Sequence, residues 1–268
     1  MERNESETLP ATVRRQRMLA LIEERGFARV SELGEAFRVS EVTVRSDLDV
    51  LEQHRAIRRV HGGAMPRHAS AVRELPFEEA MQASAEEKRV IAQEAASLVE
   101  PGMSVLLDVG TTTAAVARAL VDRDALRDIT VITNGLSIAL ELEHAIPRFQ
   151  VVVTGGTLRP LQHSLVAPLA SVMFEHVHAD IAFIGCNGVD AVGGVTNVNL
   201  PEAELKRSMV AAASRAVVVA DGSKIGSVRL GRIGPIDHFD LVITGISAAS
   251  EPLTELRAHG ADIRVVAR

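Results

Sequence analysis

Hydrophobic spacing changes character about a quarter of the way along the chain. Before that point apolar residues recur at helical intervals. Thr12 to Arg25 places Val13, Met18, Leu19 and Ile22 inward and stops at Gly26, read as a left-handed C′ residue. Phe27-Ala28-Arg29-Val30 is a short extended piece. Ser31 then caps a second helix carrying Leu33, Ala36 and Phe37, and Arg38-Val39 turns into a third. That third helix reads V-S-E-V-T-V-R-S-D-L-D-V-L over 39–51, with Ser40 as N-cap and Glu41 suiting the positive helix end. At roughly 100° per residue, Leu48 and Leu51 fall within about 40° of Val44, a stripe for packing on neighbouring helices. Val42, Thr43 and Ser46 lie opposite, with Arg45 at the edge of their face. Taken alone, an ordinary amphipathic surface helix reads the same way. Ile57-Arg58-Arg59-Val60-His61-Gly62-Gly63-Ala64 then alternates into a Gly-Gly end, the strand of a small β-wing. Helix, helix, short turn, helix, basic wing is the order of a winged helix-turn-helix, which puts the polar face of the third helix in a DNA major groove.

Met65 to Pro76 lacks periodicity and is bounded by prolines, as a linker would be. Beyond it helices alternate with short apolar runs. A helix covers Ala85 to Val99 and ends at Pro101-Gly102. Strand-like runs follow at Ser104–Leu107, Thr130–Ile132, Gln150–Val153, Ile181–Ile184, Ala216–Ala220, Leu241–Ile243 and Ile263–Val266. Helices lie between most of them, at Thr113–Leu120, Leu136–Glu143, Pro168–Phe174, Pro201–Ser214 and Glu251–Ala258. Val- and Ile-rich runs separated by helices predict a mostly parallel sheet covered on both faces. The fold class is therefore an α/β body behind an N-terminal winged helix-turn-helix. The expected domains are a disordered N-terminus over 1–11, a DNA-binding head over 12–66, a linker over 67–75 and an effector-binding and oligomerisation domain over 76–268.

Charge sharpens this division. Net charge is −6, which argues against wholesale nucleic-acid binding. Residues 11–66, however, carry ten Arg, no Lys and eight acids, a net of +2, so a weakly basic head precedes an acidic body. The single cysteine, Cys186, permits no intrachain disulfide and fits a reducing cytoplasm. The acidic N-terminus has no signal-peptide core, and no apolar run approaches the ~20 residues of a membrane helix. Seven Phe with no Tyr or Trp give no stacking platform for single strands. Only three lysines occur, Lys88, Lys206 and Lys224, against 26 arginines.

In an open α/β sheet, ligands bind where strands end. Here the first strand exits into Asp108-Val109-Gly110-Thr111-Thr112-Thr113 and a helix, whose N-terminus favours an anion. Later strands exit into Thr133-Asn134-Gly135, Thr154-Gly155-Gly156-Thr157, Gly185-Cys186-Asn187-Gly188-Val189-Asp190 and Asp221-Gly222-Ser223-Lys224. Five such exits suit one polyhydroxylated, phosphorylated ligand, although any single loop is also ordinary turn chemistry. Lys206 and Lys224 suit phosphate as point charges. Glu202 and Lys206 equally fit an i,i+4 surface pair worth ~0.3–0.5 kcal/mol. No G-x-G-x-x-G follows a strand and no G-x-x-x-x-G-K-[ST] occurs, so no nucleotide cofactor is indicated. His176-Val177-His178 is no convincing metal pair. Cys186, with no second thiol nearby, suggests no zinc and reads as a small buried residue.

These residues resemble a known family. V-S-E-V-T-V-R-S-D-L-D-V-L with R-R-V-H-G-G-A resembles the DNA-binding domain of DeoR-type repressors of bacterial sugar metabolism. D-V-G-T-T-T, V-I-T-N, V-T-G-G, D-I-A-F-I-G, E-A-E-L-K-R and V-A-D-G-S-K follow that family's effector domain in order, covering residues 12–266. The resemblance implies a body with the fold of ribose-phosphate isomerases, where a phosphorylated sugar binds and changes operator affinity. It implies effector positions at Asp108, Gly110, Thr111, Thr112, Thr133, Asn134, Gly155, Gly156, Glu202, Lys206, Asp221 and Lys224. Thr113 and Asn187 join them from the strand exits. Two departures stand out. The recognition helix usually carries a second basic residue where Ser46 stands, so any contact of that arginine is lost. Val192 stands where the isomerases keep a lysine before a glycine run, so isomerisation lacks part of its acid/base equipment.

The expectation is a cytoplasmic, non-enzymatic transcriptional repressor without cofactor or metal. Val42, Thr43, Arg45 and Ser46 would face the groove of double-stranded operator DNA with Ser40 near phosphate, while Arg58, Arg59 and His61 set the wing against the backbone or minor groove. Paired half-sites imply a homodimer or homotetramer. The alternative is a sugar-phosphate isomerase-type enzyme with an accessory DNA-binding head.

Overall fold

The computed structural model describes residues 10–25, 27–53, 57–60, 62–66 and 74–267. The chain divides into two compact units, the first closing at Arg73 and the second opening at Glu74.

The first unit comprises α1 (Ala11–Arg25), β1 (Ala28–Arg29), α2 (Val30–Phe37), α3 (Glu41–Gln53), β2 (Ile57–Val60) and β3 (Gly63–Pro66). Met18 and Ile22 of α1, Val30 and Leu33 of α2, and Val44, Leu48 and Leu51 of α3 share one core with Ala28, Ile57 and Ala64. The stripe read on the third helix is thus the one that packs. Val13 and Ala36, expected inward, are exposed. Ala11, expected in a disordered tail, opens α1. Ser31 is not the cap of α2. Burial draws Val30 into the helix, whose N-cap is Arg29, two residues earlier, and Glu32 Oε2 accepts the amide of Arg29 at 3.1 Å. Arg38, at φ 53, ends α2 in the left-handed region. Ser40 then caps α3, its Oγ accepting the Thr43 amide at 3.2 Å.

The wing is an antiparallel sheet ordered β1-β3-β2, so Met65 lies in a strand and not in a linker. Gly62, at φ 79, makes the turn. A Cβ on Gly63 would come within 2.4 Å of the Ala28 carbonyl oxygen, so only glycine lets β3 close on β1. Gly26, His61, the expected tail up to residue 9 and the expected linker over 67–73 lie outside the described residues, as does the side chain of Arg58.

The second unit runs, in order, through α4 (Phe77–Gln82), α5 (Ala85–Ser97), β4 (Ser104–Leu107), α6 (Thr111–Val121), β5 (Ile129–Thr133), α7 (Leu136–Glu143), β6 (Phe149–Val153), β7 (Thr157–Arg159), β8 (Ser164–Val166), α8 (Leu169–Phe174) and β9 (Ile181–Ile184). It continues through β10 (Gly188–Asp190), β11 (Gly194–Asn197), α9 (Leu200–Ala211), β12 (Ala216–Val219), β13 (Gly231–Gly234), β14 (Leu241–Gly245), α10 (Ser250–Ala258) and β15 (Ile263–Val266). Seven strands form one sheet ordered β15-β14-β12-β9-β4-β5-β6, every neighbouring pair parallel. They are the seven runs read from the sequence.

The reason is double-sided burial. Val105 and Leu107 face a core with α5, α6 and α7, while Leu106 faces a second core with α8, α9 and α10. Strands buried on both faces become continuous apolar runs. Not expected were α4, the β7–β8 hairpin and the small antiparallel sheet β10-β11-β13. Among the described residues no helix is long and apolar enough to cross a membrane.

One polar contact ties the first unit together across its core. Asp47 of α3 is buried, Arg14 Nε of α1 donates to its Oδ2 at 2.7 Å, and Arg15 Nε stands 3.9 Å from Oδ1. Asp47→Ala leaves the arginines without this carboxylate, so the first unit should lose about 2–3 kcal/mol. Urea unfolding should show its midpoint falling while that of the second unit stays put.

Candidate effector cleft and DNA-reading surface

Strand order reverses between β4 and β9: β5 and β6 extend the sheet on one side, β12, β14 and β15 on the other. Such a reversal opens a crevice at the strand carboxyl ends. Asp108 leaves β4 and Gly185 leaves β9 there. Asp108 Oδ2 accepts the Gly185 amide at 3.0 Å and the Lys206 ammonium, which also donates to the Gly185 carbonyl at 3.1 Å. Both side chains are buried. Asp108 Oδ1 is buried with no hydrogen-bond partner among the described residues. Desolvation pushes the Asp108 carboxyl up to about 6 against the pull of Lys206. Burial acts to discharge Lys206, but Asp108 and Glu202 outweigh it and hold the ammonium above the usual lysine range.

Glu202, one turn earlier on α9, is also buried. Its Oε1 accepts Arg159 Nη1 at 2.8 Å and Ser164 Oγ at 2.6 Å, and its Oε2 accepts Asn197 Nδ2 at 3.3 Å. The i,i+4 surface pair considered for Glu202 and Lys206 is therefore not what forms. Each is buried and has other partners.

Beside this pair Gly110, φ 144, precedes α6 as an N-cap without a side-chain bond, and the helix's first backbone bond is Ala114 N–H to Gly110 O at 2.9 Å. The amides of Thr111, Thr112 and Thr113 thus lie in the uncapped first turn, where a helix favours negative charge. Thr113 is fully buried and its hydroxyl donates to Gly110 O at 2.9 Å. Asn134 supports the loop from behind, accepting the Val109 amide at 2.9 Å and donating to Leu165 O at 3.3 Å. Thr133 Oγ1 accepts the Gly135 amide at 3.0 Å. Thr113, Thr133 and Asn134 therefore shape the cleft through bonds within the chain.

The remaining exits divide likewise. A Cβ on Gly156 would lie 2.3 Å from Val166 O, whereas one on Gly155 would meet nothing within 4 Å. Asn187 Oδ1 accepts the Val198 amide at 2.9 Å, fixing β10 and β11. Asp221 accepts the Ser223 amide at 3.1 Å, and Lys224 Nζ stands 3.9 Å from its Oδ2, one-third exposed. Cys186 is half-buried, less enclosed than expected. Its thiol is pushed up to about 12, chiefly by desolvation, and stays neutral.

Lys88 was not singled out as a site residue, yet it belongs here. It is buried on α5, its Nζ donating to Ala80 O and Ala83 O, each at 2.6 Å. Burial lowers its pKa, and the charges of Asp221 and Lys224 reach it. Its neighbour Glu87 bonds Ser247 just past β14, which places this end of α5 over the strand carboxyl ends. A cavity of about 740 Å³ between α5 and α6 is lined in part by Lys88 and Thr111. The available signal was rarity: all three lysines collect at one end of the sheet. Val192, where the isomerases keep a lysine, is 79% exposed.

On the first unit, Val42 is 77% exposed, and Ser40, Arg45 and Ser46 are exposed beside it. Thr43 is half-buried, its hydroxyl 2.9 Å from that of Ser40. Two cations have carboxylate partners that the sequence did not disclose. Arg45 Nη2 lies 3.1 Å from Glu41 Oε2, and Arg59 pairs with Asp49 while its amide donates to Glu52 Oε1 at 2.9 Å.

The charge state of the cleft carries a pH signature. The Asp108 carboxyl is raised above its unfolded value of 3.8 to about 6, so the native state binds the extra proton in that window and stability falls as pH rises through it. Below about 6 the neutral carboxyl removes the nearer of the two carboxylate charges that face Lys206. Sulfate, whose own charge is constant there, should bind more tightly as pH falls through this value. Asp108→Asn should flatten the profile, and calorimetric titration on either side checks it.

Comparison with known proteins agrees with both units. Residues 14–68 match the DeoR-like helix-turn-helix domain and residues 83–245 the DeoR C terminal sensor domain. The uncharacterized HTH-type transcriptional regulator YulB of Bacillus subtilis is 34% identical over 88% of this chain and 90% of its own. The HTH-type transcriptional regulator GlpR of Haloferax volcanii is 34% identical over 95% of this chain and 97% of its own. The glycerol-3-phosphate regulon repressor of Escherichia coli is 30% identical over 87% and 90%. Among solved structures, ribose 5-phosphate isomerase A of Methanocaldococcus jannaschii overlaps 53% of this chain and 55% of its own at 20% identity, with a TM-score of 0.39. The chain belongs to the DeoR family of helix-turn-helix transcriptional regulators.

Proposed function

We propose that this protein is a cytoplasmic repressor whose grip on operator DNA is set by a phosphorylated sugar or sugar derivative bound at the Asp108–Lys206 crevice. The observation that carries this reading is the unpartnered buried oxygen of Asp108 beside an uncapped helix N-terminus. A carboxylate oxygen kept dry and unpaired is costly, and a ligand hydroxyl would satisfy it. The Thr111 hydroxyl and the amides of Thr111 and Thr112, with Lys224, would take the phosphate. Gly155 leaves room at its loop tip, and Asp221 steadies Lys224. Glycerol 3-phosphate is the first probe to try, because the Escherichia coli relative is named for that regulon. One head covers few base pairs, so at least two copies would read paired half-sites, as a homodimer or homotetramer.

In the head, α3 is the reading element, Arg45 the base-reading cation and Val42 its apolar neighbour. Arg45→Ala should cost about 1–3 kcal/mol against the specific site, since it also leaves Glu41 unpaired near phosphate. Arg59→Ala should weaken all DNA alike and lower the salt slope by about 1. Anisotropy titrations at two salt concentrations, on a duplex selected from a random library, separate the two effects. Unchanged specific binding in the Arg45 variant sinks the assignment of this face.

A thermal-shift screen of phosphorylated sugars on the full chain tests the cleft, because a ligand of the folded state raises its melting temperature. Binding should be lost in Thr111→Ala and Lys224→Ala. The reading fails if no phosphorylated sugar shifts the transition, or if one that does leaves operator affinity unchanged.

A further inference from the structure

The chain leaves the second unit toward the head at Glu74, and the β7–β8 hairpin grips the residues at that exit. Arg159 at the end of β7 grips Glu74, with Nη1 2.9 Å from Oε1 and Nη2 on Oε2. Gln162 Nε2 donates to Leu75 O at 2.6 Å. Phe77 is buried with its ring 5.2 Å from that of His163, whose Nε2 lies 3.3 Å from Glu78. Glu74 and Leu75, expected in the linker, therefore belong to this clasp.

The same hairpin is bonded to the effector cleft. Arg159 Nη1 donates to Glu202 Oε1 at 2.8 Å as well as to Glu74, so one nitrogen joins the chain exit to α9. Ser164 adds a second bond to Glu202 at 2.6 Å. The Leu165 amide donates to Asn134 O at 2.8 Å, and the Leu136 amide to His163 O at 2.9 Å. The three charged side chains are largely dry, at 20% exposure for Arg159, 11% for Glu74 and 4% for Glu202. Charges so placed hold strongly to partners they cannot replace with water.

We propose that Arg159 is the positioning residue of the regulatory response: it fixes Glu74 only while Glu202 keeps its place against Arg159 and Ser164. A ligand that draws Glu202 toward its own hydroxyls, or displaces Ser164, loosens the guanidinium at its other end. By reciprocity, any state of the head that pulls on Glu74 alters the cleft's affinity for ligand. The proposal rests on the effector reading of the cleft, but its test uses no effector and so fails or succeeds separately.

Hydrogen exchange of the full chain, read by mass spectrometry over residues 76–83, is the measurement. Glu202→Gln alters only the cleft end and Glu74→Gln only the exit. Each should speed exchange there about tenfold, with β9 and β12 unchanged. If both act through Arg159, the double variant should exchange no faster than the faster single one, and Arg159→Met should match it. Should Glu202→Gln disturb the whole unit, Ser164→Ala replaces it in the same cycle. Effects that multiply in the double variant, or a cleft-end substitution that leaves 76–83 at the wild-type rate, overturn the proposal.

Discussion

The second unit is arranged around one buried ion pair. Asp108 and Lys206 lie buried at the point where the sheet changes direction, and they share Gly185 between them. Removing either partner would strand a charge in a dry place, at a cost of several kcal/mol by analogy with other buried pairs. The pair therefore locks three elements at one spot: the end of β4, the end of β9 and the middle of α9. It also leaves one oxygen of Asp108 idle. A fold selected for stability alone would fill that spot with apolar groups, as it does two residues earlier at Leu106.

A different economy of charge operates in the head. Arg45 and Arg59 are not free cations waiting for phosphate, since Glu41 and Asp49 already neutralise them. These are exposed pairs worth at most about 1 kcal/mol each, so DNA can displace them. What they remove is the long-range attraction that would hold the head on any sequence. With a net of only +2 over residues 11–66 and −6 over the whole chain, the overall charge of the head is a weak holder of phosphate. The loss of a second basic residue at Ser46 acts in the same direction.

The large sheet was readable because each of its strands is buried on both sides and so becomes a run of apolar residues. The hairpin β7–β8 and the sheet β10-β11-β13 were not. Their strands have three or four residues and include Arg159, Ser164, Asp190 and paired glycines, which look like loop. The cleft was half-readable. Its strand exits were found, but spacing alone could not say that Asn134 and Thr133 bond within the chain while Asp108 keeps an oxygen unpaired. For Glu202 and Lys206 a stronger signal went unused. They share the buried face of α9 with Ala203, Leu205 and Met209, and charged residues on an apolar stripe mark a site more often than a surface pair.

The distribution of commitments inside the cleft also argues for the way an occupant would lie. Lys206 is engaged by Asp108 and Gly185, Lys88 by two carbonyls, and Arg159 by two carboxylates. Lys224 is the least committed of these cations, one-third exposed and 3.9 Å from its carboxylate. A phosphate would therefore go to Lys224 and the open first turn of α6, where little has to be displaced. The hydroxylated end would then face Asp108 and, beyond it, Glu202. That polarity matters for regulation. A phosphate alone would meet only the loop and the helix end, whereas a sugar chain long enough to reach Glu202 would touch the carboxylate that Arg159 shares with the chain exit.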